Sequence, residues 1–279
     1  MYIKCWGSRG SIPVSGKDYL KYGGDTTCIE IRARSGEIII VDAGTGIRRL
    51  GNQLIKEQHN TFHFLFTHVH WDHVMGFPYF KPLYSSKAEF TMHKCPFEKK
   101  FVEKILAKVM APPNFPVKFS DIKARIKYQD ACPVDFAIGS VKVVPIPLSH
   151  PNSGNGYKFI EDGKSFVFLT DNELGVRHPG GKAFKNYVEF AKAAEVLFHD
   201  AEYTPQEYET FVDWGHSVYT DALKLALDAG VKKLGLFHLN QERTDHQMDR
   251  IVADCRKRIK SANSRLECFG VSCDTTIEI

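Results

Sequence analysis

The chain has 279 residues, of which 43% are hydrophobic and 25% are charged, and its formal net charge is +4. This ordinary globular composition excludes wholesale disorder, whereas the mild charge decides neither for nor against an anionic substrate. Short apolar runs alternate with amphipathic runs along the chain, which predicts an α/β fold with sheet inside and helices outside.

The predicted elements follow one another without a repeat or a flexible linker. Strands are predicted at residues 27–33, 37–41, 62–66, 141–148, 157–160, 165–169 and 234–237. Helices are predicted from about residues 47–58, 97–110, 184–191, 222–229 and 248–259. We therefore expect a single domain over residues 1–279, in which the segment from about 97 to 130 is a lid or insertion.

The cysteines and the apolar runs predict a cytoplasmic protein that does not enter a membrane. The seven cysteines include no CxxC pair, which argues against a thiolate zinc site or a redox pair. The N-terminal residues lack the apolar core of a signal peptide. The longest apolar runs, such as residues 38–41, are far shorter than the ~20 residues of a membrane helix.

The strongest chemical signal is the segment Thr-His-Val-His-Trp-Asp-His at residues 67–73, directly after a predicted strand. His68 and His70 are two positions apart, so in extended backbone both imidazoles point the same way and can meet one ion. Asp72 and His73 come at the following turn and can face a second ion. Imidazole with carboxylate suits Zn²⁺ first, with Mn²⁺ or Fe²⁺ as alternatives.

Three more ligand-type side chains follow predicted strands closely. These are His150, Asp171 and His238, each at or just beyond the carboxyl end of an apolar run. Because α/β folds place their sites at the carboxyl ends of strands, we expect these three residues to join the histidine-rich segment.

This order of motifs resembles the metallo-β-lactamase superfamily of hydrolases, and the likeness extends from Gly7 to His238. The resemblance implies an αββα sandwich with two divalent metal ions in a cleft at one edge of the sheets. It implies one set of metal ligands for each ion and one shared ligand: His68, His70 and His150 for the first metal, Asp72, His73 and His238 for the second, and Asp171 as the bridge. It also implies that Asp42, in Val-Asp-Ala-Gly-Thr-Gly, supports the ligands from behind through hydrogen bonds.

Two further segments resemble motifs of the tRNase Z branch, which also contains small phosphodiesterases. Residues 198–204 resemble its HEAT motif and residues 215–217 its HST motif. The resemblance implies that Asp200 orients His216 and that His216 is the general acid. The match departs from the pattern in two places, since Asp200 is shorter than Glu and Val218 replaces Thr.

The resemblance predicts a dinuclear metal-dependent phosphodiesterase acting on cyclic nucleotides or other small nucleotide phosphodiesters. A hydroxide bridging the two metals would attack phosphorus, oriented by Asp72, while His216 protonates the leaving oxygen. The alternative is a tRNA 3′-processing endonuclease with RNA as its substrate. It is the second choice because the chain lacks the long Gly/Pro-rich arm of tRNase Z enzymes. A non-catalytic metal-binding scaffold is a further alternative, and a homodimer is left open because relatives often form dimers.

The Gly-rich segments at residues 7–11 and 22–27 are also typical of this branch. Such backbone can approach a phosphate closely, and Arg9, Arg48 and Arg49 are candidate phosphate contacts. The alternative for these three arginines is ordinary solvent-exposed charge. No residue is assigned to substrate binding.

Overall fold

The computed structural model describes residues 1–93, 99–129 and 135–279, and it describes no side chains at residues 99–102. The strands are β1 Tyr2–Gly7, β2 Cys28–Arg32, β3 Ile38–Val41, β4 Thr61–Leu65, β5 Glu89–His93, β6 Arg125–Gln129, β7 Phe136–Ile138, β8 Val141–Pro147, β9 Asn155–Glu161, β10 Lys164–Leu169, β11 Val196–Asp200, β12 Lys233–Phe237, β13 Glu267–Gly270 and β14 Thr276–Glu278. The helices are α1 Ile47–Lys56, α2 Trp71–Val74, α3 Lys99–Val109, α4 Phe184–Ala191, α5 Pro205–Tyr208, α6 Tyr219–Asp228 and α7 Asp245–Ser261.

These strands form two sheets of seven strands each. Sheet one has the order β14-β1-β2-β3-β4-β5-β6, and sheet two has the order β13-β12-β11-β10-β9-β8-β7. Strands β2 and β3 form a hairpin, since they pair antiparallel around the turn at Ser35-Gly36. Both sheets are mixed, with parallel pairing from β3 to β6 and from β10 to β13.

Apolar side chains on both faces of the strands build three cores. In β4, Phe62 and Phe64 belong to the core under α1 and α3, whereas Leu65 belongs to the core between the two sheets. This alternation follows from the period of two in extended backbone, and Phe64 and Leu65 show that the end of the strand is buried on both faces.

The helices cover the outer face of each sheet. Helix α1 buries Ile47, Leu50 and Leu54 against sheet one, at the spacing of one helical face. Helices α4, α6 and α7 contribute the corresponding apolar residues over sheet two. The four layers are therefore helix, sheet, sheet and helix, and the predicted αββα sandwich is confirmed.

Part of the segment predicted to be a lid or insertion, including Phe97 and Asp130, lies outside the described residues. Its described part contains α3 and β6, and β6 pairs in parallel with β5 at the edge of sheet one. This part of the segment therefore extends the sheet. The single-domain organisation stays a prediction.

Two findings bear on the predictions about membranes and cysteines. Within the described ranges, every helix is too short or too polar to span a bilayer, and the cytoplasmic location stays a prediction. The described cysteines are buried free thiols: Cys5, Cys28, Cys255, Cys268 and Cys273. Cys95 and Cys132 lie outside the described residues.

Candidate metal centre and active site

The predicted site residues meet at one edge of the sandwich, where strands of both sheets end. Asp42 follows β3 and the segment 68–73 follows β4. His150, Asp171 and His238 follow strands of sheet two, Asp200 ends one, and His216 lies in the loop between α5 and α6. Three residues that follow strands have left-handed backbone, with φ of 63° at Asp42, 49° at Asp171 and 55° at His238. Such values are uncommon outside glycine and cost on the order of 1 kcal/mol each.

Cluster one contains His68, His70, His150 and Asp171, whose ligand atoms all lie within 4.8 Å of one another. His150 Nε2 lies 3.1 Å from His70 Nδ1, and His68 Nε2 lies 3.4 Å from Asp171 Oδ2. Ligand atoms of a tetrahedral zinc ion are about 3.3 Å apart, given Zn–N distances of about 2.0–2.1 Å. The spacing of cluster one therefore matches that of ligands around one ion.

Cluster two contains Asp72, His73, Asp171 and His238. Asp72 Oδ2 lies 3.2 Å from His73 Nε2 and 3.1 Å from His238 Nε2. Asp171 lies 3.2 Å from the same two nitrogens, with Oδ1 facing His73 and Oδ2 facing His238. Asp171 thus belongs to both clusters, as expected of a bridging carboxylate.

The donor atoms of both clusters fit divalent cations. His68 Nε2 and His73 Nε2 are buried and have no hydrogen-bond partner among the residues that the structure describes. A buried polar atom without a partner is costly, and a cation would satisfy both. All seven predicted ligands lie in one or both clusters, and their role as ligands stays a prediction.

The imidazoles of the two clusters differ in their electrostatics. In cluster one, burial lowers the pKa of His68 and brings the pKa of His150 to about 4. In cluster two, burial is outweighed by Asp72 and Asp171, which hold the pKa of His73 well above its ordinary value. Asp171 has the same effect on the pKa of His238. Cluster one therefore offers neutral nitrogens, whereas a cation entering cluster two displaces protons.

His216, the predicted proton donor, lies beside both clusters. Its Nδ1 lies 2.7 Å from Asp200 Oδ2 and 3.9 Å from Asp171 Oδ2, and its ring stacks on His238 with centroids 4.6 Å apart. Burial lowers the pKa of His216, but the carboxylates of Glu202 and Asp200 outweigh it and raise this pKa to about 9. The structure therefore brings Asp200 and His216 together as expected.

Comparison with known proteins identifies the family. A family model described as a beta-lactamase superfamily domain matches residues 37–239. The chain belongs to the metallo-β-lactamase superfamily. A ribonuclease Z from Haloferax volcanii is 24% identical over 255 residues, which cover 74% of this chain and 77% of that protein.

Two solved structures share the superfamily fold over their whole length. The metallo-β-lactamase fold protein YhfI from Bacillus subtilis has a TM-score of 0.70 and 14% identity, covering 100% of this chain and 99% of that one. Unliganded yeast PDE1 has a TM-score of 0.67 and 14% identity, with the same coverage. The predicted superfamily and the prediction of a metal-dependent hydrolase are confirmed.

Two carboxylates of this superfamily hydrolase lie behind the histidines of cluster two. Asp42 Oδ2 lies 2.8 Å from His73 Nδ1 and also accepts from the Thr67 hydroxyl at 2.6 Å. Since the carboxylate accepts from Nδ1, His73 Nε2 is turned toward cluster two. These are the contacts expected of Asp42, whose supporting role stays a prediction.

The second supporting carboxylate is Glu202, which sequence reasoning missed. Glu202 Oε2 lies 3.0 Å from His238 Nδ1, and Oε1 accepts from Asn240 Nδ2 at 3.1 Å. The available signal was its position two residues beyond Asp200, within the HEAT-like segment. Glu202 is buried, so its hydrogen bonds to His238 and Asn240 fix the ring orientation of His238.

The N-terminal Gly-rich segment lies against cluster two. Ser11 N donates to Asp72 Oδ2 at 3.0 Å, and a Cβ added at Gly10 would lie 2.4 Å from the His238 ring. Arg9, however, is fully buried and donates to three backbone carbonyls, those of Gly23, Asn240 and Arg243. The interpretation of Arg9 as ordinary solvent-exposed charge is wrong, because its guanidinium is buried and holds loops together, and a phosphate contact of Arg9 stays a prediction.

Large exposed side chains lie on the loops that carry the site. Trp71 directly follows His70 and is 58% exposed, and Trp214 precedes Gly215 and His216 and is 62% exposed. Trp214 packs edge-on against Phe211, with ring centroids 5.2 Å apart.

Proposed function

We propose that this superfamily hydrolase is a phosphodiesterase that uses two divalent cations, with Zn²⁺ as the first candidate. The observation that carries the proposal is the shared Asp171 between two ligand clusters, with a carboxylate-held His216 at their edge. When bound, the two cations would supply a nucleophilic hydroxide at neutral pH and neutralise charge on a phosphoryl oxygen. Mn²⁺ and Fe²⁺ suit the same nitrogen and oxygen donors.

The residues of the chain have distinct roles in this proposal. His216 uses Nδ1 toward Asp200, which leaves Nε2 to transfer a proton to the leaving oxygen as the P–O bond breaks. Asp200 holds the imidazolium form and fixes the ring, since its other oxygen accepts from Ser217 N at 2.9 Å. Asp72 orients the attacking water, and Asp42 and Glu202 hold His73 and His238 in place.

A small nucleotide phosphodiester, with a cyclic nucleotide as the first candidate, is the proposed substrate. Its alkoxide leaving group is poor without protonation, so the reaction needs the proton that His216 would donate. The net charge of +4 also suits a small substrate better than a large polyanion, whose binding usually depends on many phosphate contacts. A homodimer stays a prediction.

The second candidate is cleavage of RNA in the manner of a tRNA 3′-processing endonuclease. The observation that favours it is the similarity to the Haloferax volcanii ribonuclease Z over 255 residues. The same His216 and Asp200 would then protonate the 3′ oxygen that leaves the precursor.

The decisive experiment compares substrates and leaving groups. We expect the purified protein loaded with Zn²⁺ or Mn²⁺ to hydrolyse bis-p-nitrophenyl phosphate and cyclic AMP or cyclic GMP, and to leave a precursor tRNA uncut. His216→Ala is expected to lower kcat on the cyclic nucleotide about 10²–10⁴-fold. It should change bis-p-nitrophenyl phosphate hydrolysis much less, because p-nitrophenolate leaves without a proton.

The matched control is His59→Ala, at an exposed histidine with 41% of its side chain accessible, and metal content is measured for both variants. Equal losses on both substrates, or full activity of His216→Ala on the cyclic nucleotide, would remove His216 as the acid. Efficient cleavage of precursor tRNA at its 3′ end would replace the small-nucleotide assignment with the RNA one.

A further inference from the structure

Glu173 is a buried carboxylate that the proposed mechanism leaves without a role. It lies two residues beyond Asp171, and only 1% of it is exposed. A buried carboxylate is costly unless donors surround it. Four donors do so: the Tyr208 hydroxyl at 2.5 Å, His178 Nε2 at 2.6 Å, Gly215 N at 2.8 Å and Asp213 N at 2.9 Å.

The two backbone donors pin the turn on either side of Trp214. Asp213 N donates to Oε1 of Glu173 and Gly215 N donates to Oε2, so the two carboxylate oxygens hold the turn together. Gly215 has φ of 94°, and a Cβ there would lie 2.1 Å from His150 Nδ1. The turn therefore has little freedom and touches cluster one directly.

The carbonyl of the same glycine orients a predicted metal ligand. His150 Nδ1 lies 3.0 Å from Gly215 O. Because a carbonyl oxygen can only accept, Nδ1 carries the hydrogen, and His150 Nε2 is left bare where it lies 3.1 Å from His70 Nδ1. Glu173, Gly215 and His150 thus form a continuous chain of contacts that ends in cluster one.

A second set of contacts closes the same region. Leu174 N donates to Ser217 Oγ at 3.0 Å, and Ser217 Oγ donates to Asn172 O at 2.5 Å. The residues on either side of Glu173 are therefore both hydrogen-bonded to Ser217, the neighbour of His216. Glu173 thus lies between the strand end that carries Asp171 and the loop that carries His216.

We propose that Glu173 is a positioning residue for cluster one: by holding the 213–215 turn, it fixes His150 in the tautomer whose bare Nε2 can bind a cation. The inference rests on the two-cation site of the proposed function, and it assigns Glu173 no contact with substrate. Backbone carbonyls and carboxylates behind metal-ligating histidines commonly set both ring orientation and affinity.

Glu173→Gln is the informative variant because it keeps the shape of the side chain. Each oxygen of Glu173 accepts one backbone N–H, so either orientation of the glutamine amide sets its NH₂ group against Asp213 N or Gly215 N. One backbone donor then loses its acceptor and the turn shifts. Tyr208→Phe is the matched control, since it removes the phenolic donor and leaves both backbone donors in place.

The first measurement is the ¹⁵N NMR signature of the His150 ring in the metal-free, full-length protein at one pH above 8. We expect a single Nδ1–H tautomer in the wild type and in Tyr208→Phe, and a mixture of tautomers in Glu173→Gln. Glu173→Asp keeps the charge but is one methylene too short to reach both Asp213 N and Gly215 N, and it is expected to give the same mixture. It serves as the second variant should Glu173→Gln fail to fold.

The second measurement is zinc affinity by competition with a chromophoric chelator. We expect Glu173→Gln to weaken the binding of one of the two zinc ions about 10–100-fold and Tyr208→Phe to leave both affinities nearly unchanged. A folded Glu173→Gln with the wild-type His150 signature and wild-type affinities would overturn the proposal and leave Glu173 a purely structural residue. A wild-type protein that binds two zinc ions but cleaves no phosphodiester would instead contradict the proposed function alone.

Discussion

The two ligand clusters share Asp171 but are built from different materials. Cluster one adds three imidazoles to that carboxylate, and its His150 is oriented by a backbone carbonyl. Cluster two adds Asp72 and two imidazoles, and each of these rings has a carboxylate behind it. Negative charge is therefore concentrated around cluster two, both in the ligands and behind them.

The cation affinities of neighbouring sites in one cleft can therefore differ according to the carbonyl or carboxylate groups behind their histidines. A carboxylate makes the imidazole a more basic ligand than a neutral carbonyl does. We therefore expect cluster two to hold its cation more tightly than cluster one.

Replacing the shared carboxylate would break both clusters at once. Asp171→Asn removes a charge that faces His68, His73 and His238. Losing one member of a buried ionic set costs about 3–5 kcal/mol, which corresponds to about 10²–10³-fold or more in affinity. Metal analysis after dialysis should find both ions depleted, with turnover lost in parallel. Asp162→Asn, an exposed aspartate, is the control, and retention of both ions by Asp171→Asn would show that it does not bridge.

Removing a supporting carboxylate would weaken cluster two selectively. Asp42→Asn and Glu202→Gln each withdraw the acceptor behind one ring, and we expect about 10–100-fold weaker binding of the tighter ion. The weaker ion should change little, which is the reverse of the result expected for Glu173→Gln. Stepwise zinc titration of the three variants measures this, and equal weakening of both ions would contradict the comparison.

A histidine pair outside the two clusters, His63 with His93, is governed mainly by its burial. His63 Nδ1 lies 3.1 Å from His93 Nε2, and burial together with His63 lowers the pKa of His93 to about 4. Since the unfolded value is about 6.5, the unfolded chain binds more protons between these pH values. The stability present above pH ~6.5 is therefore lost as the pH falls toward 4.

We expect His93→Gln to reduce this loss. Between pH 7 and pH 5 the free energy of unfolding should fall less in the variant than in the wild type, by about 1–2 kcal/mol. Urea unfolding in the presence of a chelator at both pH values measures the difference and removes any effect of bound cations. Parallel pH dependence in the two proteins would show that His93 is not the group that titrates.

The sequence predicts which residues lie together in the two clusters because these residues carry local signals. His68, His70, Asp72 and His73 lie in one segment, and the other three residues follow apolar strands at an edge where strand ends must meet. The helix and sheet layers of the sandwich follow from the alternation of apolar and amphipathic runs along the chain. The strand β6 was not predicted, because alternating polar residues at a sheet edge do not reveal their pairing partner.

Asp42 was predicted behind the clusters, but Glu173 and Glu202 could not be predicted in the same way. Glu173 and Glu202 are acidic residues two positions beyond a recognised one, and only the fold shows that Gly215 and His238 lie against them. The burial of Arg9 was not foreseen, since its acceptors at Asn240 and Arg243 are more than 200 residues away. Contacts at such separation leave no local pattern.

The left-handed backbone at Asp42, Asp171 and His238 has a consequence for the evolution of this fold. A chain selected only to fold would gain by carrying glycine at these three turns, since each left-handed side chain costs on the order of 1 kcal/mol. The cations would return that energy, because ligands that bind only the native state stabilise it. In a related protein that has lost catalysis, we therefore expect glycine to replace the residues at these three turns before other site residues change.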